Sequence, residues 1–512
     1  MKKLLIGIDA GTSVIKAVAF DLDGAQVAMA SRRNSYASLP GGGVEQDMLR
    51  TYADTCDVLR EVADKACGEV LALAVTGQGD GTWLVDSAGA PVHDGWLWLD
   101  ARAAQEAKEI EASSGIDTIY GMTGTGVNVC QMRTHMRWMQ RHAPDLLERA
   151  ASAFHCKDWL YYRLTGQRAA DPSEACFTFG SFRERAYSED VFEALGLTAL
   201  RPLLPPIVDG ISQAHSLTGE AATATGLREG TPVVLGYVDV MCCGIGAGLY
   251  DPNVDVGLSI LGSTGMHQKY VAHPDGIALN ENRSGYTMPV PGAGLAQMQT
   301  HMAGTLNVDW MLDLALEVLA DQGVARSQAD LLKGLDDKVL NARPGAVVYH
   351  PYISSAGERG PFANPQARAS LSGLDQSIGW FDLVRGVYDG IAMAVRDCYG
   401  AMGGIPAEIR LCGGAARSVA IRKILASALE RPVRTVSQEE AGAIGAVMIA
   451  AVQQGIHADI GAASRAWVLP HLRNEVAASN AVWHAPIGEE IHTTNARGDR
   501  RGLRCVTAND GA

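Results

Sequence analysis

Two hairpins built alike, half a chain apart, restrict this sequence more than any other feature. In the first, the apolar runs Leu4-Leu5-Ile6-Gly7-Ile8 and Val14-Ile15-Lys16-Ala17-Val18-Ala19-Phe20 flank Asp9-Ala10-Gly11-Thr12-Ser13. Flanks rich in β-branched residues around a glycine read as strand, tight turn, strand. Asp21-Leu22-Asp23-Gly24 then turns the chain into a third strand over 25–30. In the second, a strand from Val256 to Leu261 leads into Gly262-Ser263-Thr264-Gly265 and a further strand near 268–272. Setting Gly11-Thr12-Ser13 against Gly262-Ser263-Thr264 gives like hairpins about 250 residues apart in a chain of 512, which predicts two related lobes. Glycine makes up 57 of the 512 residues, about 11% against a usual 7% or so. These glycines gather beside apolar runs, where they let backbone turn sharply or approach a ligand closely. A third cluster is Gly413-Gly414-Ala415-Ala416.

Several classes of function drop out on composition. The net charge of −14 leaves no positive footprint for nucleic acid, and none for docking on an anionic membrane. No run of about 18 apolar residues predicts a membrane span. Met1-Lys2-Lys3 before Leu4-Leu5-Ile6 resembles the start of a leader, but Asp9 ends the apolar run too soon. The ten cysteines are scattered, with no CxxC pair and no zinc spacing, so they read as reduced thiols of a soluble, cytoplasmic protein.

Turn backbone N–H groups with Ser and Thr hydroxyls form anion nests, so two facing hairpins predict a polyphosphate held between lobes. GxxxxGK[ST] is absent, and the glycine runs at 77–81 and 244–248 miss the GxGxxG spacing. Asp9 ends a buried strand beside a nest, where a carboxylate serves as a magnesium ligand. Asp239 follows the apolar run Val233-Val234-Leu235-Gly236-Tyr237-Val238 and precedes a helix-compatible stretch, so it reads as a helix cap, a site carboxylate or both. Asp80 and Asp100 also follow apolar runs, Trp83, Trp96 and Trp98 read as core, and Lys157-Asp158 opens a helical pattern ended by Gly166.

Taken in order, these pieces resemble the FGGY carbohydrate kinases of the actin-like ATPase superfamily. The matching segments are Ile6-Gly7-Ile8-Asp9-Ala10-Gly11-Thr12-Ser13, Gly77-Gln78-Gly79-Asp80-Gly81, Trp98-Leu99-Asp100-Ala101-Arg102 and Lys157-Asp158-Trp159-Leu160. They continue with Gly236-Tyr237-Val238-Asp239, Leu261-Gly262-Ser263-Thr264-Gly265, Tyr349-His350-Pro351-Tyr352, Gly357-Glu358-Arg359, Cys412-Gly413-Gly414-Ala415-Ala416-Arg417-Ser418 and Glu440-Ala441-Gly442-Ala443-Ile444-Gly445-Ala446. The resemblance implies an α/β fold of two RNase H-like lobes, with mixed sheets flanked by helices and a cleft between them. It divides the chain into 1–249, 250–472 and an extension 473–512 without a placed motif. It makes Asp239 the catalytic base and, with Asp9, a magnesium neighbour. Gly11, Thr12, Ser13, Lys16, Gly262, Ser263, Thr264, Gly413, Gly414, Ala415 and Ser418 become the ATP contacts. Gln78, Gly79, Asp80, Asp100, Arg102 and Asp239 become the substrate contacts. Val240-Met241-Cys242-Cys243 departs from the small or amide residues usual after the base.

The implied activity is ATP- and Mg2+-dependent phosphorylation of a terminal hydroxyl of a small neutral polyol. A homodimer is compatible with it. Gly79-Asp80 stands where glycerol kinases carry Arg-Glu and xylulose kinases Met-His. A shorter acid and the space left by Gly79 suit a polyol longer than glycerol, and erythritol, converted to erythritol 4-phosphate, is the expected substrate. A ketopentose or glycerol is the alternative within the family. An actin-like ATPase without a small substrate is the alternative outside it.

Overall fold

The computed structural model describes residues 2–251, 253–437 and 440–477. The first hairpin is β1 (Lys3–Ala10) and β2 (Val14–Asp21), paired antiparallel with Asp9 opposite Lys16, and β3 (Gln26–Arg33) extends it. With β4 (Glu69–Gly77), β5 (His215–Ser216) and β6 (Pro232–Leu235) these strands form a six-stranded sheet ordered β5-β6-β4-β1-β2-β3. The second hairpin is β7 (Val256–Leu261) and β8 (Gly265–Val271). It is joined by β9 (Tyr286–Pro289), β10 (Leu295–His301), β11 (Glu408–Cys412), β12 (Val433–Val436) and β13 (Leu472–Val476) in the order β9-β10-β8-β7-β11-β12-β13.

Without the edge strands, β3-β2-β1-β4-β6 and β10-β8-β7-β11-β12 have one topology. The first three strands of each set are antiparallel and the last three parallel. The likeness of the two hairpins thus extends to whole sheets. β13 carries the second sheet past the boundary expected at 472, while residues 478–512, Cys505 among them, lie outside the described residues.

Alternation along β1 assigns its faces: Leu4, Ile6 and Ile8 enter one core and Leu5 the other. The outer core of the first sheet is closed by α1 (Met48–Ala66) and α2 (Cys156–Thr165), and α3 (Pro172–Phe179) is buried along its whole length. Asp47 caps α1 by accepting the Arg50 N–H, and Gly166 ends α2 at φ 71°, a left-handed conformation that costs glycine little. Between β4 and β5, short helices such as Ile116–Thr123 and Met132–His142 enclose a core of their own. α4 (Asp239–Gly246) runs between the two sheets. α5 (Trp380–Ala401) and α6 (Val419–Leu429) cover the outer face of the second sheet.

α7 (Ala441–Gln453) returns to the interior and crosses α4. It buries Ile444, Val447, Met448 and Ile449 completely, each worth about 1.5–3 kcal/mol. Residues of both sheets share this core, including Leu5, Phe20 and Val234 from the first and Leu258 and Met298 from the second. At the crossing, Gly246 lies against the Ala441 carbonyl and Gly445 against the Cys242 carbonyl, so closely that a Cβ on either would strike backbone. No helix among the described residues is long and apolar enough to cross a membrane.

Candidate active site at the strand ends

β1, β4 and β6 end side by side, with Asp9 opposite Thr76 and Leu235 opposite Val75. Open α/β sheets leave their crevice at the carboxyl ends of such parallel strands. Asp9, the segment 78–81 and Asp239 are therefore brought to one place by sheet register, although 230 residues separate the first from the last.

Asp239 is the first residue of α4, and its Oδ1 accepts the Val240 N–H at 2.6 Å. Val238, not Asp239, holds the cap position. Desolvation, then the charge of Asp9, raises the Asp239 carboxyl well above the usual carboxylate range, against the Val240 N–H. Asp9 is pushed up to about 6, chiefly by desolvation, with Lys16 opposing and Glu440 reinforcing the shift. Gly442 near the start of α7 is what admits the Asp9 carboxylate, since a Cβ there would collide with Oδ2.

The first hairpin turn follows closely on Asp9. Gly11 N–H donates to Val14 O, and the turn is fastened by Asn34, which donates its N–H to Ser13 O and its Nδ2 to Gly11 O. Ser13, Ser263 and Thr264 are exposed. The Gly262 and Ser263 carbonyls are held from behind by the Thr305 and Gly304 N–H groups. Lys16 reaches across the lobes to Glu440 at 2.8 Å. Gly413, at φ 84°, packs on the Leu261 carbonyl and opens a turn over Gly414–Arg417.

At five residues expected to touch substrate or ATP, the side chain or the space beside it is already engaged within the chain. The Thr12 hydroxyl donates to Gln78 Oε1 at 2.9 Å and accepts the Trp98 Nε1–H at 2.8 Å. The Ser418 hydroxyl is a helix cap that accepts the Ile421 N–H and donates to Asp336 Oδ1 at 2.6 Å. Asp100 is wholly buried and accepts from Val44 N, Arg102 N and the Arg102 guanidinium, whose other end pairs with Glu45 at 2.8 Å over the Trp96 ring. Asp100 and Arg102 thus brace one another and the Val44 and Trp96 segments. Finally, Gly79 leaves no vacancy, because a Cβ there would strike Val238 Cγ2. We expect Gly79→Arg to disrupt this loop and abolish activity, with no gain in preference for glycerol, as a panel of acceptor substrates would show.

Asp80 lies among buried polar groups contributed by both halves of the chain. It sits at φ 54°, a strained conformation for a non-glycine residue, held by its N–H donating to Glu174 Oε1 at 2.9 Å. Tyr286 of β9 donates its hydroxyl to Asp80 Oδ2 at 3.1 Å and accepts from Asn128 Nδ2 at 2.9 Å. Asp80 Oδ1 is buried without a hydrogen-bond partner among the described residues. Desolvation raises this carboxyl above its ordinary value, against His155, Tyr286, Arg133 and Arg359. Gln78 completes the wall, donating through Nε2 to Gln46 Oε1 at 2.7 Å.

Beneath Asp80, Lys157 is completely buried, with Nζ 2.8 Å from Asp158, 2.6 Å from Asp171 and 2.5 Å from Glu174. Ser173 next to this cluster accepts the Val238 N–H, so one buried charge network orients both the Asp80 loop and the start of α4. The sequence reading gave Lys157-Asp158 and Glu440 no role beyond a helix start and a family segment, and it did not single out Tyr286, Glu174 or Gln46. Trp98, which the sequence reads as core, is instead 37% exposed in the turn after Trp96 and Leu97, both buried, and its Nε1–H reaches the Thr12 hydroxyl.

Comparison with known proteins agrees with this geometry. The N-terminal domain of the FGGY family of carbohydrate kinases matches residues 4–246, and its C-terminal domain matches 262–454. The chain is 49% identical over 474 residues to an erythritol kinase of Brucella abortus (strain 2308), covering 92% of this chain and 91% of that protein. It is 29% identical over 428 residues to a xylulose kinase of Escherichia coli (strain K12), covering 83% and 84%. The crystal structure of xylulose kinase from Rhodospirillum rubrum superimposes with a TM-score of 0.86 at 24% identity, covering 96% of this chain and 98% of that one. The chain belongs to the FGGY family and is a carbohydrate or polyol kinase with ATP as its co-substrate.

Proposed function

We propose that this cleft transfers the γ-phosphoryl group of ATP to a terminal hydroxyl of erythritol, giving erythritol 4-phosphate. The observation that carries the reading is the buried, unpartnered Oδ1 of Asp80. A carboxylate oxygen accepts hydroxyl hydrogens, and a neutral polyol supplies them without bringing charge. The name of the Brucella relative supports erythritol among such polyols.

Asp239 takes the proton of the attacking hydroxyl, and the turns at 11–13 and 262–264 border the phosphates while Gly413, Gly414 and Ala415 border the adenosine. Phosphoryl transfer asks for such positioning and charge neutralisation more than for covalent chemistry. Mg2+ fits the donor set: Asp9 and Asp239 are hard oxygen ligands whose charges oppose one another. When bound, a divalent ion supplies neutralisation of the phosphate charge. The enzyme works in the cytoplasm, a reducing compartment that suits its free thiols.

An ADP-coupled assay with erythritol, glycerol and xylulose tests the substrate. The highest kcat/KM is expected for erythritol, and a preference for either of the others overturns that choice while leaving the kinase. Asp80→Ala removes a hydrogen bond to a charged group, worth about 1.5–3 kcal/mol, so its KM for erythritol rises at least about tenfold.

Asp9→Asn separates function from stability. In the folded chain the Asp9 carboxyl sits at about 6, above its unfolded value near 3.8. Between those values the unfolded chain is ionised while the folded one holds the proton, so this residue's cost to folding begins near the lower value and is complete above the upper. Without magnesium, the Tm advantage of Asp9→Asn over wild type grows from about pH 4 to pH 6 and then levels off. Turnover and the response to magnesium both fall. An advantage that does not change with pH would rule out this account.

A further inference from the structure

We propose that His267, His301 and Cys398 form a buried binding site for a soft or borderline divalent metal, Zn2+ foremost, directly behind the second phosphate hairpin. The three side chains come from β8, β10 and α5, none is more than 2% exposed, and one donor atom of each lies within 4.8 Å of the other two. They share no atom with the acceptor site or with the Asp9–Asp239 pair.

The geometry favours coordination. His267 Nδ1 lies 3.0 Å from Ser259 Oγ, which in turn lies 3.0 Å from the Tyr399 hydroxyl. This leaves His267 Nε2 turned toward His301 Nδ1, at 3.4 Å. Two nitrogens bound tetrahedrally to zinc at about 2.0–2.1 Å stand about 3.3–3.4 Å apart, so one edge of the polyhedron is already set. The Ser259–Tyr399 chain is the kind of outer contact that fixes the tautomer and orientation of a ligating imidazole. On the far side of the second ring, His301 Nε2 is buried with no hydrogen-bond partner among the described residues and packs against Gly265, which has no Cβ to displace it.

Desolvation, with the Arg359 guanidinium nearby, lowers the His301 imidazole, and desolvation lowers that of His267. Desolvation, with Glu358 and Asp397 close by, holds the Cys398 thiol protonated. Metal binding releases the thiol proton to solvent and puts a thiolate–metal bond in its place. Two nitrogens and a sulfur select zinc-like ions over Mg2+, which prefers oxygen. An occupied site ties β8, β10 and α5 together three residues beyond the turn at 262–264.

The test uses the full chain, stripped with chelator, loaded with Zn2+ or Co2+ and passed through a desalting column. One zinc ion per chain is expected to be retained, and the cobalt form is expected to show a thiolate-to-metal charge-transfer band in the near ultraviolet. Cys398→Ser and His267→Gln each lose the band while keeping the far-ultraviolet circular dichroism of wild type. X-ray absorption at the zinc edge of the wild type reads the ligands without any variant and is expected to show nitrogen and one sulfur. Failure of the wild type to retain zinc, an all-oxygen shell, or a cobalt band that survives in Cys398→Ser overturns the site.

Discussion

In Asp239→Asn, turnover falls by about 10²–10⁴-fold, the contribution of a positioned base to a proton transfer. The fall appears in kcat, while ATP and polyol still bind, because the amide keeps the shape of the side chain and its place at the start of α4. Two accompanying signs distinguish a lost base from a damaged fold. Desolvation and the neighbouring Asp9 oppose ionisation of Asp239, so the neutral variant unfolds at a higher temperature than wild type in magnesium-free buffer. The base must also be ionised to work, so wild-type kcat/KM rises with pH on its acid side, and this limb is expected to disappear in the variant. Near-normal kcat in a folded Asp239→Asn protein would falsify the assignment.

Lys157→Met has the largest expected effect on stability. Burial works against the lysine charge, but Asp158, Asp171 and Glu174 outweigh it and hold the ammonium well above its ordinary pKa. Removing one partner of a buried ionic cluster leaves the others uncompensated, at a cost of about 3–5 kcal/mol. Urea unfolding measures this directly, and a midpoint within error of wild type would show that the carboxylates find other partners. Loss of activity should accompany loss of stability, because Glu174 holds the Asp80 N–H and the neighbouring Ser173 holds that of Val238.

The strands and turns of this fold were legible wherever local chemistry sets them. Apolar runs rich in β-branched residues marked β1 and β2, a glycine marked each turn, and acidic residues after apolar runs marked the strand ends near which Asp9 and Asp239 lie. Illegible features were those decided by a partner distant in sequence. Thr12 and Ser418, both expected at ATP, have hydroxyls engaged by distant residues, Thr12 by Gln78 and Trp98 and Ser418 by Asp336. Gly79 looked like a vacancy because the sequence could not show Val238 filling it. Tyr286 carries no local mark, since its meaning arises only when the second sheet meets Asp80, 206 residues away.

The crossing of α4 and α7 makes the molecule a pair of blades riveted near the working point. Both helices begin at the cleft, and backbone meets backbone at Gly246 and Gly445. At about 1.5 Å per residue, Asp239 lies roughly 10 Å from that rivet. A turn of about 10° between the blades therefore shifts the base by less than about 2 Å, whereas atoms farther from the crossing move in proportion to their distance from it. A pivot placed there leaves the base close to its working position through any such turn. Lys16 and Glu440, joined across the same short arm, act as a latch that needs little travel to close.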